Sequence, residues 1–186
     1  MLEARLYSRA VLLALFVVAG FANVAQAQVP GETLKVRPLQ RDGQLLVTFS
    51  LDGGLTDEMK AVVQSGLRTV FTYTVELKMK VPAWVDRTVA SSVISTSVDY
   101  DNLTRRHTVS LARNGRVEQS FVVEDPAQVA QLATNFDKLA LFETRLLEPN
   151  REYYVLVRAD ARPRSTTPWP WSGTASGMAR FTFIPN

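Results

Sequence analysis

Alternation of apolar and polar residues dominates most of the chain beyond residue 27. The clearest run extends from Val70 to Val81 and places these apolar side chains on one face: Phe71, Tyr73, Val75, Leu77, Met79 and Val81. A period of two over this length is typical of a half-buried β-strand. The strand is expected to end before Pro82, Ala83 and Trp84, because proline has no N–H to donate to a ladder.

Shorter alternating runs indicate further strands at residues 34–39, 45–51, 91–100, 105–111, 117–123, 153–159 and 179–184. Turn residues separate several neighbours, among them Asp42-Gly43 and Asn114-Gly115. Both members of an Asn-Gly pair tolerate a positive φ, which favours tight hairpins. We therefore predict antiparallel hairpins over residues 34–51 and 91–123.

Two segments have helical instead of alternating spacing. The first begins at Thr56, a capping hydroxyl followed by two acids, and its predicted apolar stripe is Met59, Val62, Val63 and Leu67. The second begins at Asp125-Pro126, and its predicted stripe is Val129, Leu132, Ala133 and Phe136. We expect these helices to cover sheet edges or the end of a barrel.

The segment leading into the strand at residues 153–159 carries a more specific pattern. Leu147, Pro149 and Tyr153 resemble the tyrosine corner of immunoglobulin-like and fibronectin type III sandwiches. The resemblance implies that the Tyr153 hydroxyl bonds backbone at the corner and that the strand then crosses the core. The predicted fold is mainly β: an antiparallel β-sandwich, immunoglobulin-like in part, with two short helices.

The first 27 residues have the pattern of a secretory signal peptide. Arg5 and Arg9 precede an uncharged apolar run over residues 10–20, and small residues stand at Ala25 and Ala27. We predict cleavage before Gln28, which leaves residues 28–186 as a single periplasmic or secreted domain with no stable membrane span. A retained membrane anchor is the alternative, although the apolar run is shorter than the ~20 residues that span a bilayer.

Charge and composition exclude several function classes. The chain has 21 basic and 18 acidic residues, and removal of residues 1–27 leaves 19 against 17, without the clustered basic face that nucleic acid binding needs. There is no cysteine, so disulfides, thiolate metal sites and cysteine nucleophiles are excluded. We predict no cofactor, no metal and no nucleic acid partner.

Candidate catalytic groups are few. His107 is the single histidine and alternates with Val109 and Leu111, so we interpret it as a strand residue with a satisfied hydrogen bond and not as a catalytic base. Asp99 and Asp101 flank Tyr100 at the end of a predicted hairpin, where acids commonly stabilise turns, and they are the acids that an enzymatic site would use. Asp52 with Asp57 lacks the spacing of a calcium loop.

The connection before the last strand is the predicted recognition segment. Residues 161–173 combine three prolines with Trp169 and Trp171, the two predicted binding residues. Prolines lower the entropy that an extended segment loses on binding, and the indole rings offer large contact faces. In the alternative interpretation the two rings fold back and cap the sandwich.

The order of these segments resembles that of a family of exported bacterial proteins known only as a domain of unknown function. The matching pieces are the strand at 43–49, the helix end at 65–67, the long strand at 70–80, the strand end at 98–101 and the late strand at 154–158. The resemblance implies location and fold class and assigns no catalytic residues. We expect a non-enzymatic module that binds an envelope protein, or alternatively an enzyme or ligand carrier acting on envelope glycan or lipid.

Export predicts a defined N-terminus. The protein recovered from a bacterial periplasm should begin at Gln28, as measured by intact mass and N-terminal sequencing. A protein that retains residues 1–27 and sediments with membranes would contradict cleavage and release.

Overall fold

The alternating segments form two antiparallel sheets. The computed structural model describes residues 33–163 and 174–185. Its elements are β1 (Thr33–Arg41), β2 (Gln44–Asp52), α1 (Asp57–Gln64), β3 (Thr69–Met79), β4 (Arg87–Asp101), β5 (Arg106–Arg113), β6 (Arg116–Val123), α2 (Pro126–Thr134), β7 (Asn135–Glu143), a 3-10 turn (Thr144–Leu146), β8 (Glu152–Pro163) and β9 (Thr174–Thr182).

The two sheets differ in size. One has three strands in the order β1-β2-β7, and the other has six in the order β6-β5-β4-β3-β8-β9. The predicted hairpins are confirmed: Leu34 lies opposite Leu51 in the β1–β2 pair, and β4, β5 and β6 pair successively. The predicted antiparallel β-sandwich with two short helices is also confirmed.

Strand β3 lies inside the larger sheet, between β4 and β8. Its odd-numbered residues from Thr69 to Met79 are buried, and its even-numbered residues are only partly buried. This is the alternation that the sequence predicts, and it gives the core its longest continuous row of apolar side chains. The neighbouring β8 contributes Val155, Val157 and Ala159 to the same core, as the tyrosine-corner resemblance implied.

Three aromatic rings connect the two sheets. The ring centroids of Phe49 on β2 and Tyr73 on β3 are 5.3 Å apart, and Phe136 on β7 lies 4.6 Å from Phe49 and 5.0 Å from Tyr73. The Tyr73 hydroxyl donates to the carbonyl of Ala133 at the end of α2, at 2.9 Å. The cluster thereby joins both sheets and one helix.

Both helices begin where their capping residues predict. The Thr56 hydroxyl accepts the N–H of Met59 at 3.3 Å, and the Asp125 carboxylate accepts the N–H of Ala127 at 2.9 Å. These side chains satisfy N–H groups that the first turn of a helix leaves without backbone partners. Val63 of α1 and Val129 of α2 are buried in the core.

Both helices end earlier than their apolar stripes predict. Helix α1 ends at Gln64, so Leu67 lies beyond it and is 41% exposed. Helix α2 ends at Thr134, and Phe136 is buried from strand β7 instead of from the helix. The predicted membership of Leu67 and Phe136 in helix faces is therefore wrong.

Strand β7 is absent from the pattern-based prediction because its alternation is interrupted. Its pairing with β2 shifts register twice, between Leu45 and Leu46 and between Val47 and Phe49. Lys138 within it adopts a φ of 47°, which breaks the extended conformation. A bulged strand of this kind does not show a period of two.

The last strand begins earlier than predicted. Strand β9 covers Thr174–Thr182, whereas the alternation indicated residues 179–184. A Cβ added to Gly177 would lie 2.2 Å from the carbonyl oxygen of Leu34, so only glycine allows β1 to approach β9 here. This close approach joins the two sheets along one side of the sandwich.

The predicted tyrosine corner is confirmed. The Tyr153 hydroxyl accepts the backbone N–H of Glu148 at 2.7 Å, five residues earlier. The ring is fully buried and stacks on Phe181 with centroids 5.8 Å apart. The bond holds the chain where it turns from the 3-10 segment into β8.

Loss of this bond should destabilise the fold. Tyr153→Phe keeps the ring but leaves the Glu148 N–H without its acceptor, which should lower the free energy of unfolding by ~1–2 kcal/mol. Chemical denaturation monitored by circular dichroism measures the change. A value near zero would mean that water replaces the hydroxyl at no cost.

Candidate interaction surfaces

The Trp84 loop, residues 80–86, connects β3 to β4 and is held in place by one carboxylate. Asp86 accepts the N–H of Val81 at 3.2 Å and the Tyr154 hydroxyl at 2.9 Å, and it pairs with the Lys80 ammonium at 3.2 Å. The backbone N–H of Trp84 donates to the carbonyl of Val81 and closes a turn in which Ala83 has a φ of 58°. The loop is therefore ordered by its own polar contacts.

This ordered loop presents two large apolar side chains to solvent. Trp84 is 80% exposed and Val85 is 78% exposed. Residues 80–85 line an open depression of about 500 Å³. An exposed indole contributes little to the stability of the fold, because only burial of its apolar surface would do so.

Charges of both signs surround the loop. Arg87 pairs with Glu148 at 3.0 Å, and Arg151 approaches the same carboxylate at 3.6 Å. Lys80 and Asp86 neutralise each other within the loop. The apolar tip is thus surrounded by three basic and two acidic side chains, all engaged in ion pairs.

The electrostatics of Asp86 reflect these contacts. Its pKa is lowered, chiefly by the Val81 N–H, with further contributions from the Tyr154 hydroxyl and from Lys80. The pKa of Tyr154 is raised, first by burial of its ring and then by its hydrogen bond to Asp86. Both shifts favour an ionised Asp86 that accepts from a neutral Tyr154.

A second surface lies on the outer side of β4, β5 and β6, where the even-numbered neighbours of the buried His107 and Val109 face solvent. Two rows of uncharged side chains cross these strands, and we call them the neutral face: Ser97, Ser110 and Ser120 in one row, and Ser95, Ala112 and Val117 in the other. Ser97 is itself buried and accepts a hydrogen bond from Arg68, which pairs with Asp99 of the next row. Strand β6 is exposed along its whole length except at Val123. On this side its Val117 and Val122 are 62% and 64% exposed.

His107 lies in a strand, as predicted, but the satisfied hydrogen bond predicted for its side chain is not found among the described residues. The residue is buried beside Tyr100, with ring centroids 4.7 Å apart, yet its Nδ1 has no hydrogen-bond partner among the described residues. Lys60 and Gln64 share with it a cavity of about 20 Å³. That volume holds about one water molecule and no substrate.

The acids considered from the sequence already have structural roles. Asp101 accepts the N–H of Leu103 at 2.8 Å and the Thr104 hydroxyl at 2.9 Å, and its pKa is lowered chiefly by the Leu103 N–H. Asp99 lies 3.5 Å from Arg68. The structure therefore uses these acids to order a turn and to form an ion pair.

Asp52 and Asp57 are also paired, with Lys35 at 2.6 Å and with Lys60 at 2.8 Å. Across residues 33–163 and 174–185, no group of three or more His, Asp or Glu side chains is arranged to hold a metal ion. Within the same residues, no helix combines the length and the apolar character needed to cross a bilayer.

The two binding residues predicted from the sequence, Trp169 and Trp171, lie outside the described residues. Their role stays a prediction. The structure instead draws attention to Trp84, which the sequence pattern marked only as the end of a strand. Its signal was available: two large apolar residues, Trp84 and Val85, follow a proline in a connection between strands, where polar residues are usual.

Residues 32–176 match a family described as a domain of unknown function, DUF4390. The chain belongs to this family. Neither a curated protein nor a solved structure matches the chain. The family agrees with the resemblance found in the sequence and assigns no activity to the Trp84 loop or to the neutral face.

The pKa shift of Asp86 predicts a pH-dependent stabilisation. A carboxylate whose pKa is lower in the folded state stabilises above its unfolded pKa, about 4, and loses this contribution as pH falls through the folded value. The melting temperature of wild type should therefore be higher than that of Asp86→Asn at neutral pH. This difference in melting temperature should become smaller as the pH falls.

The matched control is Asp42→Asn in the exposed β1–β2 turn. This substitution should change the melting temperature little at neutral pH. A difference between wild type and Asp86→Asn that stays constant from neutral to strongly acidic pH would contradict the role given to the Asp86 charge.

Proposed function

We propose that the protein is an exported, non-enzymatic module of the bacterial envelope, periplasmic or secreted, that binds a partner protein through the Trp84 loop. One observation carries the proposal: a tryptophan 80% exposed at the tip of a loop that Asp86 holds in place. The signal-like pattern of residues 1–27 supports export.

The loop has the properties of a binding anchor. Tryptophan is among the residues that contribute most to protein interfaces when it enters an apolar pocket of the partner. Because Val81, Tyr154 and Lys80 already hold Asp86, the loop loses little conformational freedom on binding. The partner is thus expected to offer an apolar pocket for the indole and for the neighbouring Val85.

The local charge favours a protein over other classes of partner. An anionic membrane or a nucleic acid attracts an excess of basic side chains. Here Lys80 pairs with Asp86, and Glu148 pairs with Arg87 at 3.0 Å and with Arg151 at 3.6 Å, so both signs of charge surround the loop. An apolar centre with a polar rim is typical of protein–protein interfaces.

The alternative, an enzyme or ligand carrier acting on envelope glycan or lipid, requires polar groups that converge in a cleft. Asp99 and Asp101, the acids that it would use, are engaged by Arg68 and by the Leu103–Thr104 turn. The cavity beside His107, at about 20 Å³, is far below the size of a ligand pocket. These contacts favour a binding module.

The test compares three proteins in one capture assay. Wild type, Trp84→Ala and Leu103→Ala are used as bait in a bacterial envelope extract, and Leu103 is the matched control because it is 95% exposed in another turn. A protein retained by wild type and Leu103→Ala and lost with Trp84→Ala is then purified. Calorimetry should show a loss of ~2 kcal/mol or more for Trp84→Ala, about 30-fold in Kd.

Thermal stability of Trp84→Ala should stay near that of wild type, because the ring is exposed. Equal binding by wild type and Trp84→Ala would contradict the proposal. If no protein is captured, but wild type sediments with phospholipid vesicles and Trp84→Ala does not, the partner of the loop is a membrane and not a protein. The same assay with Trp169 and Trp171 changed to alanine tests the binding role predicted for them.

A further inference from the structure

We infer that one edge of the larger sheet is a docking site for an extended segment of another protein, which adds to β6 as an antiparallel strand. The site, called the free edge, is the side of residues 119–123 that faces away from β5. It is separate from the Trp84 loop and does not depend on the proposed function.

In the described part of the chain, the two sheets have four edge strands, and three of them are closed or interrupted. Strands β1 and β9 approach each other where Gly177 meets Leu34. Strand β7 shifts register twice, Lys138 leaves the extended conformation, and the Ala140 carbonyl accepts from the Arg113 guanidinium at 2.7 Å. Because bulges, charges and covering contacts prevent the addition of further strands, β6 is the edge that remains open.

The irregularity of β6 is confined to its beginning. Val117 lies opposite Ala112 and Gln119 lies opposite Leu111, so Glu118 is the extra residue of a bulge. Residues 119–123 then pair with β5 without interruption and contain neither a charged residue nor a proline. A regular, uncharged strand edge of this kind is a template for pairing with another chain.

The turn before β6 determines which residues of β5 bond to it. Asn114 and Gly115 have φ values of 49° and 82°, as in a type I′ turn, so Arg113 and Arg116 form a hydrogen-bonded pair. Backbone groups point alternately to the two sides of a strand. Arg113 and the other odd-numbered residues of β5 therefore bond to β6, and the even-numbered residues bond to β4.

The backbone groups of the free edge follow from this alternation. Phe121 and Val123 lie opposite odd-numbered residues of β5, so their N–H and C=O groups point to β5. Ser120 and Val122 direct theirs away from it. No backbone hydrogen bond within the described residues engages them on that side. The free edge therefore offers two N–H and two C=O groups, spaced as an incoming antiparallel strand requires.

The side chains along β6 select the chemistry of the incoming strand. Phe121 is 38% exposed on the core side of the sheet, and Val122 is 64% exposed on the outer side. Arg116 has no ion-pair partner among the described residues, and in an antiparallel pairing it lies opposite the C-terminal end of the incoming strand. The occupant is therefore an extended segment that is apolar on both faces in its centre and acidic at its C-terminal end.

A second copy of β6 does not meet this requirement. The acids within and just after β6 are already engaged, Glu118 by Arg113 at 3.0 Å and Glu124 by Arg106 at 2.9 Å. A second β6 would therefore bring no free acid to Arg116. Charge complementarity thus favours a segment of a different protein.

The probe is a synthetic peptide of about eight residues in which threonine and valine alternate and the last residue is glutamate. Its binding to the full protein is measured by fluorescence anisotropy. Val122→Pro removes an outward N–H and no bond to β5, so it should raise the Kd ~10-fold or more at an unchanged melting temperature. Val122→Thr keeps the N–H and the branched side chain, and as the matched control it should bind like wild type.

Two further variants test the assignment of the free edge. Ser120→Pro also removes an outward N–H and should weaken binding as Val122→Pro does. Phe121→Pro removes an N–H that bonds to β5 and should lower the melting temperature. If Val122→Pro and Ser120→Pro destabilise the fold as much as Phe121→Pro, their N–H groups are not free and the inference fails.

Wild type should bind the peptide that ends in glutamate more tightly than a peptide that ends in lysine. No binding by wild type at about 1 mM peptide, or equal binding by wild type and Val122→Pro, would overturn the inference. A wild-type dimer in sedimentation velocity that Val122→Pro converts to monomer would overturn the choice of a different protein as the occupant. Trp84→Ala should bind the peptide like wild type, so failure of the proposed function and failure of this inference give different results.

Discussion

The contact among Phe49, Tyr73 and Phe136 is the interaction on which the rest of the structure depends. The three rings come from β2, β3 and β7, with centroids 4.6 to 5.3 Å apart. Each sheet is amphipathic and needs the other to bury its apolar side. The Tyr73 hydroxyl extends the same contact to the Ala133 carbonyl, so the end of α2 is positioned by the core as well.

The unequal size of the two sheets leaves one edge of the sandwich uncovered. A three-stranded sheet cannot cover six strands, so β6 is left exposed on both sides. On the opposite side of the sandwich, Gly177 lets β1 and β9 approach closely and closes that edge. The sandwich therefore has one closed edge, at β1 and β9, and one open edge, at β6.

The tyrosine corner and the Trp84 loop are structurally connected through Glu148. Its backbone N–H donates to the Tyr153 hydroxyl, and its carboxylate pairs with Arg87, the residue after Asp86. The next residue after the corner, Tyr154, donates to Asp86 itself. The buried corner is thereby linked to the exposed loop that carries Trp84 by one ion pair and one hydrogen bond.

Much of the fold is specified by local sequence. Alternation on β3, the turns at Asp42-Gly43 and Asn114-Gly115, the caps Thr56 and Asp125 and the corner residue Tyr153 all depend on neighbours within a few positions. Each therefore follows from the chain read by itself. The absence of cysteine and the small net charge likewise restrict the chemistry without any structure.

Only the tertiary structure decided the features that depend on what lies opposite in space. Phe136 fits a helical stripe as well as a bulged strand, and pairing with β2 selects the strand. Val117 and Val122 are apolar residues of a strand, and a register shift in the pairing of β5 with β6 leaves both exposed on its outer side. Trp84 is exposed in a loop whose Asp86 is bonded to Tyr154, 68 residues away in the sequence. Local pattern determines the conformation of a segment, whereas burial depends on long-range packing that the pattern does not contain.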